Sequence, residues 1–156
     1  MSAIFIDSHL VHYEVIGRGK PVIFLHSWFG SWRYWVPTMQ AISITNRAYA
    51  LDLWGFGESA KNKQYSIDHQ TELLNSFFEK IGLFQCALVG HGLGAVVARE
   101  FTNRFPDCVD KLMLIGYPFG DGLINNKFLS GESVGLMEKM IKSSTDLDPI
   151  RNDELK

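Results

Sequence analysis

The chain has 156 residues, which is long enough for one domain to bury roughly two thirds of the surface that it exposes when unfolded. Its hydrophobic share of 46% and charged share of 21% are ordinary for a globular protein. No stretch approaches the roughly 20 apolar residues that a membrane span needs. Fifteen basic and 17 acidic residues leave a net charge of −2, with no cluster of Lys or Arg, so neither nucleic acid nor a membrane is an expected partner.

The two cysteines do not predict a metal site. Cys86 and Cys108 lack the spacing of metal ligands, and Cys86 falls in an apolar run, where a thiol packs as a small hydrophobic group. The first residues do not combine a basic region with a long apolar one, so we expect no secretory leader. We therefore expect a reducing, cytoplasmic setting, with no metal and no cofactor.

The first part of the chain predicts a hairpin followed by a central strand. Two β-type runs, at residues 4–6 and 10–15, flank a short turn and indicate an antiparallel pair at one edge of a sheet. Residues 22–25 are continuously apolar, which is typical of a strand covered on both faces. Apolar residues at 35, 36, 39 and 42 follow with helical spacing, so strand, loop and helix form the repeating unit.

The middle of the chain repeats this unit. The predicted elements are strands at residues 47–53, 86–89 and 111–116, a helix from Ser66 to Gly82 and a helix from Leu93 to Pro106. Ser66 is the predicted N-cap of the first helix, and Pro106 stops the second. Alternating strands and helices predict an α/β fold with a mostly parallel sheet flanked by helices.

The pattern changes from residue 117 onward. Apolar residues at 136, 137, 140 and 141 predict one short amphipathic helix, and the polar tail at residues 143–156 is expected to be frayed or disordered. We find neither an internal repeat nor a linker between two apolar regions. Residues 1–156 are therefore interpreted as a single domain.

Three loops carry glycines after the predicted strands. They are residues 26–30 (HSWFG), 52–59 (DLWGFGES) and 90–94 (GHGLG). In this order they resemble three motifs of the α/β-hydrolase family: the His-Gly loop after the third strand, the Asp-x-x-Gly-x-Gly-x-Ser loop and the Gly-x-Ser-x-Gly nucleophile elbow. In the first of these loops, Ser27 stands where the family more often has glycine. The resemblance covers residues 4–118 and implies the core of that fold without its lid and last strands. Residues 117–156 then stand where a lid would begin.

The chain departs from this family at the catalytic triad. The position of the nucleophile is Gly92, which has no side chain to attack a substrate, and all five histidines stand at or before the elbow. The family's acid and histidine usually follow later strands, so the resemblance implies an incomplete triad. His91 is a candidate base beside the elbow, although a residue at that position more often packs or hydrogen-bonds locally.

The backbone part of the family's site does not depend on a serine. In the family, an oxyanion is held by the N–H groups of the residue after the nucleophile and of the loop after the third strand. The resemblance assigns these roles to Leu93 and Trp28, with Ser27 and His26 beside them. An anion or a carbonyl group is therefore a candidate ligand; the alternative for His26 is that it braces its loop.

Seven aromatic side chains fall on or near the same loops, where ligands bind in open α/β sheets. They are Trp28, Phe29, Trp32, Tyr34, Trp35, Trp54 and Phe56. They indicate either an aromatic pocket or ordinary packing of loops on helices, and the sequence leaves both open.

Two functional hypotheses follow. The first is a pseudoenzyme, a catalytically impaired or non-catalytic binding or interaction module, as in the N-myc downregulated family and the neuroligins, which this chain resembles in lacking the serine. The second is a hydrolase for a small ester-like or apolar substrate, completed by another chain or a missing C-terminal part. Because the family's last strands are missing, we also expect an exposed sheet edge that self-association into a homo-oligomer or a partner chain would cover.

Overall fold

A computed structural model of the chain describes residues 2–118, which form one six-stranded sheet with three helices. The strands are β1 (Ser2–Ile6), β2 (His9–Gly17), β3 (Lys20–Leu25), β4 (Asn46–Leu51), β5 (Cys86–His91) and β6 (Val109–Ile115). The helices are α1 (Val36–Ile42), α2 (Ile67–Ile81) and α3 (Leu93–Arg104), with short 3₁₀ turns at Trp32–Trp35 and Pro106–Cys108. The strand order is β1-β2-β4-β3-β5-β6.

The sheet is mostly parallel, as the sequence predicts. Strands β4, β3, β5 and β6 run parallel to one another, while β1 and β2 form an antiparallel hairpin at one edge. The hairpin turn consists of Asp7 and Ser8, both at positive φ, and Ile6 pairs with His9 across it. This turn geometry matches the right-handed twist of the flanking strands, which explains the tight connection.

Strand β3 is buried on both faces, which confirms its predicted central position. Ile23 and Leu25 face the larger apolar cluster, which α2 and α3 help to form, and Val22 and Phe24 face the smaller cluster under α1. The ring of Phe24 lies 4.8 Å from that of Trp35. Since successive side chains of a strand point to opposite faces, a continuous apolar run is what a covered strand requires.

Helix α2 has the ends that its sequence predicts. The Ser66 hydroxyl accepts a hydrogen bond of 3.2 Å from the His69 N–H, and Asp68 lies in the first turn. Gly82 adopts a left-handed conformation, with φ of 69°, immediately after the last helical residue. These are the standard start and stop signals of a helix, so its limits follow from local chemistry.

Several strand limits differ from their predicted positions by one or two residues, among them the ends of β4 and β5. Strand β4 ends at Leu51 rather than at residue 53, and β5 continues through His91 rather than ending at residue 89. The extension of β5 occurs because Gly90 and His91 pair with Leu114 and Ile115 of β6. The predicted helix over residues 136–141, the polar tail and all but the first two residues of the predicted lid segment lie outside the described residues.

None of the helices within residues 2–118 has the length and apolar composition that crossing a lipid bilayer requires.

Candidate functional site

The turn between β5 and α3 consists of one residue, Gly92. Its φ of 54° and ψ of −111° lie outside the regions that side chains favour, and such a conformation costs a residue with a side chain about 1–3 kcal/mol. Its N–H donates to the Ile115 carbonyl at 2.9 Å, while its own carbonyl accepts from Ala95 and Val96 at 3.1 and 3.2 Å. The turn is thus attached to β6 on one side and to α3 on the other.

The other two glycines of the elbow allow α3 to lie against the sheet. A β-carbon at Gly90 would overlap the backbone of Gly94, and one at Gly94 would overlap the Leu25 carbonyl. The Gly94 N–H donates to the His26 carbonyl at 3.0 Å, which ties the start of α3 to the loop after β3. The spacing of these glycines therefore reflects close backbone packing rather than chemistry.

His26 is fully buried and joins two loops. Its Nε2 accepts a hydrogen bond of 3.1 Å from the Leu53 N–H, so the proton is on Nδ1, which donates to the Ser27 carbonyl at 2.8 Å. Burial lowers the pKa of His26 from 6.5 and keeps the ring neutral, against the opposing charge of Asp52. Both ring nitrogens are engaged, so His26 positions the loop at residues 26–30.

Asp52 is the buried centre of the second glycine-bearing loop. Its carboxylate accepts hydrogen bonds from the N–H groups of Trp32 and Glu58, at 2.7 and 3.0 Å, and from His12 Nδ1 at 3.0 Å. The Ser59 hydroxyl donates to the Asp52 carbonyl at 2.7 Å and accepts from the His12 N–H at 2.9 Å. Asp52 and Ser59 therefore hold this loop together.

His12 is a buried titratable residue that the sequence does not single out. Burial works against its charged form, but the hydrogen bond to Asp52 and the charges of Asp52, Glu58 and Glu14 outweigh it and raise the pKa of His12 above 6.5. Burial likewise opposes the Asp52 carboxylate, yet the hydrogen bond from His12 and the backbone donors of Glu58 and Trp32 lower the pKa of Asp52 below 3.8. His12 lies in an alternating β-strand, so only its tertiary partner could reveal it.

A small cleft opens beside the elbow. It has a volume of about 350 Å³ and is lined by Ser27, Phe29, Gly30, Tyr34 and His91. The Ser27 N–H donates to Tyr34 Oη at 2.9 Å, and Tyr34 Oη lies 3.2 Å from His91 Nδ1. Burial raises the pKa of Tyr34 to about 12, so the phenol is neutral. His91 therefore shares a hydrogen bond with Tyr34 on the wall of the cleft.

Ser27 and Gly92 meet in space although they are far apart in sequence. A β-carbon at position 92 would overlap Ser27 Oγ and would lie 3.0 Å from Ser27 Cβ. The Ser27 hydroxyl thus occupies the space in which a side chain at the elbow would begin. The available signal in the sequence is that residues 27 and 92 both depart from the family motifs that they otherwise match.

Trp28 and Leu93, the two backbone donors implied by the resemblance, lie on adjoining segments. Trp28 follows Ser27 in a turn that the Gly30 N–H closes by donating to the Ser27 carbonyl at 3.0 Å. Leu93 is the first residue of α3, where backbone N–H groups have no acceptor within the helix. The bond between Gly94 and His26 holds these two segments together.

The aromatic residues divide between the cleft and the core. Phe29 and Tyr34 are 59% and 39% exposed and line the cleft. Trp35, Trp54 and Phe56 are buried in the apolar clusters instead. Both interpretations of the aromatic loops thus hold, each for different residues. Trp28 and Trp32 pack partly buried against the two clusters.

Among residues 2–118, no group of three His, Cys, Asp or Glu side chains is arranged to hold a metal ion.

Comparison with known proteins assigns the family. The family model described as alpha/beta hydrolase fold matches residues 20–144. Epoxide hydrolase 4 of Mus musculus is 31% identical over 112 residues, which are 69% of this chain and 31% of that protein. The 1-acylglycerol-3-phosphate O-acyltransferase ABHD5 of Mus musculus is 32% identical over 113 residues, covering 66% of this chain and 32% of that protein. The chain spans about a third of the length of these relatives.

Solved structures show the same similarity. Epoxide hydrolase VrEH1 from Vigna radiata superposes with a TM-score of 0.72 at 27% identity, over 76% of this chain and 38% of that one. An ancestral haloalkane dehalogenase superposes with a TM-score of 0.71 at 26% identity, over 75% of this chain and 42% of the other. The described sheet and helices therefore correspond to less than half of these larger proteins.

Proposed function

The chain belongs to the alpha/beta hydrolase fold family, and from this premise we propose that it is a ligand-binding member without serine-nucleophile catalysis. The observation that carries the proposal is the elbow itself. Gly92 keeps a backbone conformation that is strained for other residues, and the surrounding glycines keep the close packing, but no side chain projects from the turn. A serine hydrolase forms its covalent intermediate at this position, so Gly92 removes that step.

The proposed ligand is a small, largely apolar molecule with a carbonyl group. Its apolar part would contact Phe29, whose ring is exposed at the cleft. Its oxygen would approach the backbone N–H groups of Trp28 and Leu93, where the positive end of the α3 dipole favours partial negative charge. Backbone donors act equally well beside a glycine and beside a serine, so this part of the site survives the substitution.

Backbone chemical shifts provide the test of binding. In the ¹⁵N-labelled protein, titration with cyclohexanone, a neutral ketone, is expected to shift the amide signals of Trp28 and Leu93 before those of residues elsewhere. The exposed helix residue Lys80 serves as the reference signal. Titrations that move no amide signal at Trp28 or Leu93 would contradict the proposal.

A hydrolase completed by another polypeptide is the second candidate. It is favoured by the relatives, several of which are named epoxide hydrolases and of which the matched part of this chain covers only 20–31%. A direct assay with p-nitrophenyl butyrate separates the two candidates. We expect no turnover above buffer from the chain alone; turnover that His91→Asn abolishes without lowering the melting temperature would favour the hydrolase.

We also propose that two copies associate through β6. This strand ends the sheet described here, and its Leu112, Met113 and Ile115 are 38%, 58% and 40% exposed. An edge strand with apolar side chains can pair with the same strand of a second copy, which satisfies backbone groups and buries apolar surface together.

A cytoplasmic location is the last part of the proposal. Cys86 and Cys108 are both free thiols, although both pack in the larger apolar cluster. Burial raises the pKa of Cys86 to about 12, so this thiol is unreactive. Fractionation of cells that produce the tagged chain would test the location.

A further inference from the structure

Ser27 holds the one hydroxyl that reaches the centre of the elbow. The other polar atoms of this residue are engaged: its N–H donates to Tyr34, and its carbonyl accepts from Gly30 and from His26. These bonds fix the backbone of Ser27 from three sides. Within residues 2–118, the hydroxyl itself makes no hydrogen bond, and Ser27 lines the cleft. A fixed hydroxyl with a free donor and acceptor is available to a ligand.

The hydroxyl and the elbow exclude each other. A side chain at Gly92 would begin in the space that Ser27 Oγ fills. The Ser27 hydroxyl therefore fits only because position 92 has no side chain. The two departures from the family motifs, Ser27 and Gly92, depend on each other sterically.

Neither of the two nearby histidines, His26 and His91, forms a hydrogen bond with this hydroxyl, so neither activates it as a nucleophile in this structure. His26 uses both ring nitrogens, for Leu53 and for the Ser27 carbonyl, and burial lowers its pKa. His91 Nδ1 lies within hydrogen-bond distance of Tyr34 Oη, at 3.2 Å. A serine hydroxyl without a general base is a weak nucleophile but a good hydrogen-bond donor.

We propose that Ser27 is the positioning and specificity-determining residue of the cleft, and that its hydroxyl donates a hydrogen bond to the carbonyl oxygen of a small neutral ligand. The inference rests on the proposed binding function and specifies how that site selects its ligand. Ser27 lies in the loop after β3, and its hydroxyl fills the place that a side chain at position 92 would occupy.

The lining of the cleft favours a neutral ligand over an anion. Within residues 2–118, the cleft is lined by five residues, none of which is Lys, Arg, Asp or Glu. The phenol of Tyr34 is neutral, and the nearby Arg33 pairs with Glu58 at 2.8 Å. A charged carboxylate would lose its hydration without gaining a counter-ion, whereas a ketone or an amide loses little and gains one hydrogen bond.

A matched pair of ligands isolates the hydrogen bond. Cyclohexanone and methylenecyclohexane have similar shapes, but only the ketone has an acceptor oxygen. We expect Ser27→Ala to weaken cyclohexanone binding about five- to tenfold, the effect of losing one hydrogen bond, and to leave methylenecyclohexane binding unchanged. The control Ser76→Ala, on α2 away from the cleft, should change neither affinity. Amide shifts in the ¹⁵N-labelled full chain report both affinities.

The outcomes separate this inference from the proposed function. If the wild-type chain binds neither ligand, the proposed function fails. If it binds the ketone and Ser27→Ala binds it equally well, only the role of Ser27 fails. Covalent modification of Ser27 by diisopropyl fluorophosphate, detected by peptide mass spectrometry, would also overturn the positioning role, because it would show a nucleophile.

A second measurement tests, without any ligand, whether the Ser27 hydroxyl fills the space beside Gly92. Gly92→Ala should lower the melting temperature of the wild-type chain strongly, and should lower it clearly less in a Ser27→Gly background. Equal losses in both backgrounds would show that Ser27 does not occupy the space beside the elbow.

Discussion

The strained backbone at Gly92 has a cost that depends on which residue occupies it. Glycine adopts φ of 54° without a steric penalty, whereas any other residue is disfavoured there by about 1–3 kcal/mol. Here the neighbouring Ser27 hydroxyl adds a steric conflict to this strain. A serine at position 92, which would be the nucleophile in the family, is therefore destabilising in this structure.

Replacing Gly92 by serine is therefore expected to destabilise the protein and to leave it inactive. We expect Gly92→Ser to reduce the free energy of unfolding by at least about 2 kcal/mol, from strain and overlap together. Urea denaturation measures this loss, and p-nitrophenyl butyrate tests activity. The double variant Ser27→Gly with Gly92→Ser should recover part of the stability. A fully stable, active single variant would contradict both steps.

The buried pair of His12 and Asp52 makes stability depend on pH. The pKa of Asp52 is lower in the folded state, so its contribution is complete above pH 3.8 and is lost as the pH falls through the folded value. The pKa of His12 is raised, so its contribution is complete below pH 6.5 and is lost as the pH rises through the folded value. Both contributions are present together between pH 3.8 and 6.5.

Replacing His12 tests the alkaline side of this window. In urea denaturation at pH 6 and pH 8, the change in stability with rising pH should be more unfavourable for the wild-type protein than for His12→Gln. Only the wild-type protein loses the His12 contribution, whereas the lowered pKa of His26 acts in the opposite direction in both proteins. The exposed His69 offers a control, because His69→Gln should retain the wild-type dependence on pH. A His12→Gln protein with the full wild-type slope would show that another group titrates.

At the scale of elements, the backbone of α3 lies directly against the backbones of β3 and β5 at Gly94 and Gly90. Gly90 and Gly94 let α3 approach both strands so closely that a β-carbon at either position would meet main-chain atoms. Main-chain atoms of a central sheet cannot move without breaking its ladders, so this contact tolerates little change. The elbow keeps its shape because these elements hold it.

Gly94 and Gly82 distinguish the cost of a steric overlap from the cost of a positive φ, because only Gly94 has backbone atoms close to the position of a β-carbon. Gly94→Ala should lower the free energy of unfolding by about 2–3 kcal/mol, since its β-carbon would overlap the Leu25 and His26 carbonyls. Gly82→Ala, at the end of α2, has open space around it and should cost only about 1 kcal/mol, from its positive φ. Chemical denaturation compares them; equal costs would argue against the close backbone contact.

At the scale of the whole molecule, β6 is the strand at one edge of the sheet formed by residues 2–118. The opposite edge is a short hairpin, whereas β6 presents three apolar residues to solvent among the residues described. The larger solved relatives align with this chain over less than half of their length. The edge is therefore where additional chain or a second copy has most to contribute.

Association through β6 should respond to a charge on that strand. Light scattering of the wild-type chain at moderate concentration is expected to give a mass above that of the monomer, and Met113→Lys should shift it toward the monomer. Ile44→Lys places the same charge at a residue that is 88% exposed, before β4, and should leave the mass unchanged. A strictly monomeric wild-type chain would contradict the proposal.

The sequence alone determined the α/β class, the order of the elements and the vacant nucleophile position. These features are local: the apolar run of β3, the caps of α2 and the glycine spacing of the elbow each report a short-range requirement of the backbone. The sequence also shows directly that position 92 is glycine and not serine.

Only the tertiary structure decided which distant residues meet. It brought the Ser27 hydroxyl into the space beside Gly92, paired His12 with Asp52, and divided the aromatic residues between the cleft and the core. These contacts join loops that follow different strands, and their distances depend on how α3 and the sheet pack. Periodicity and composition carry no information about such contacts, because each partner satisfies its own local pattern equally well without the other.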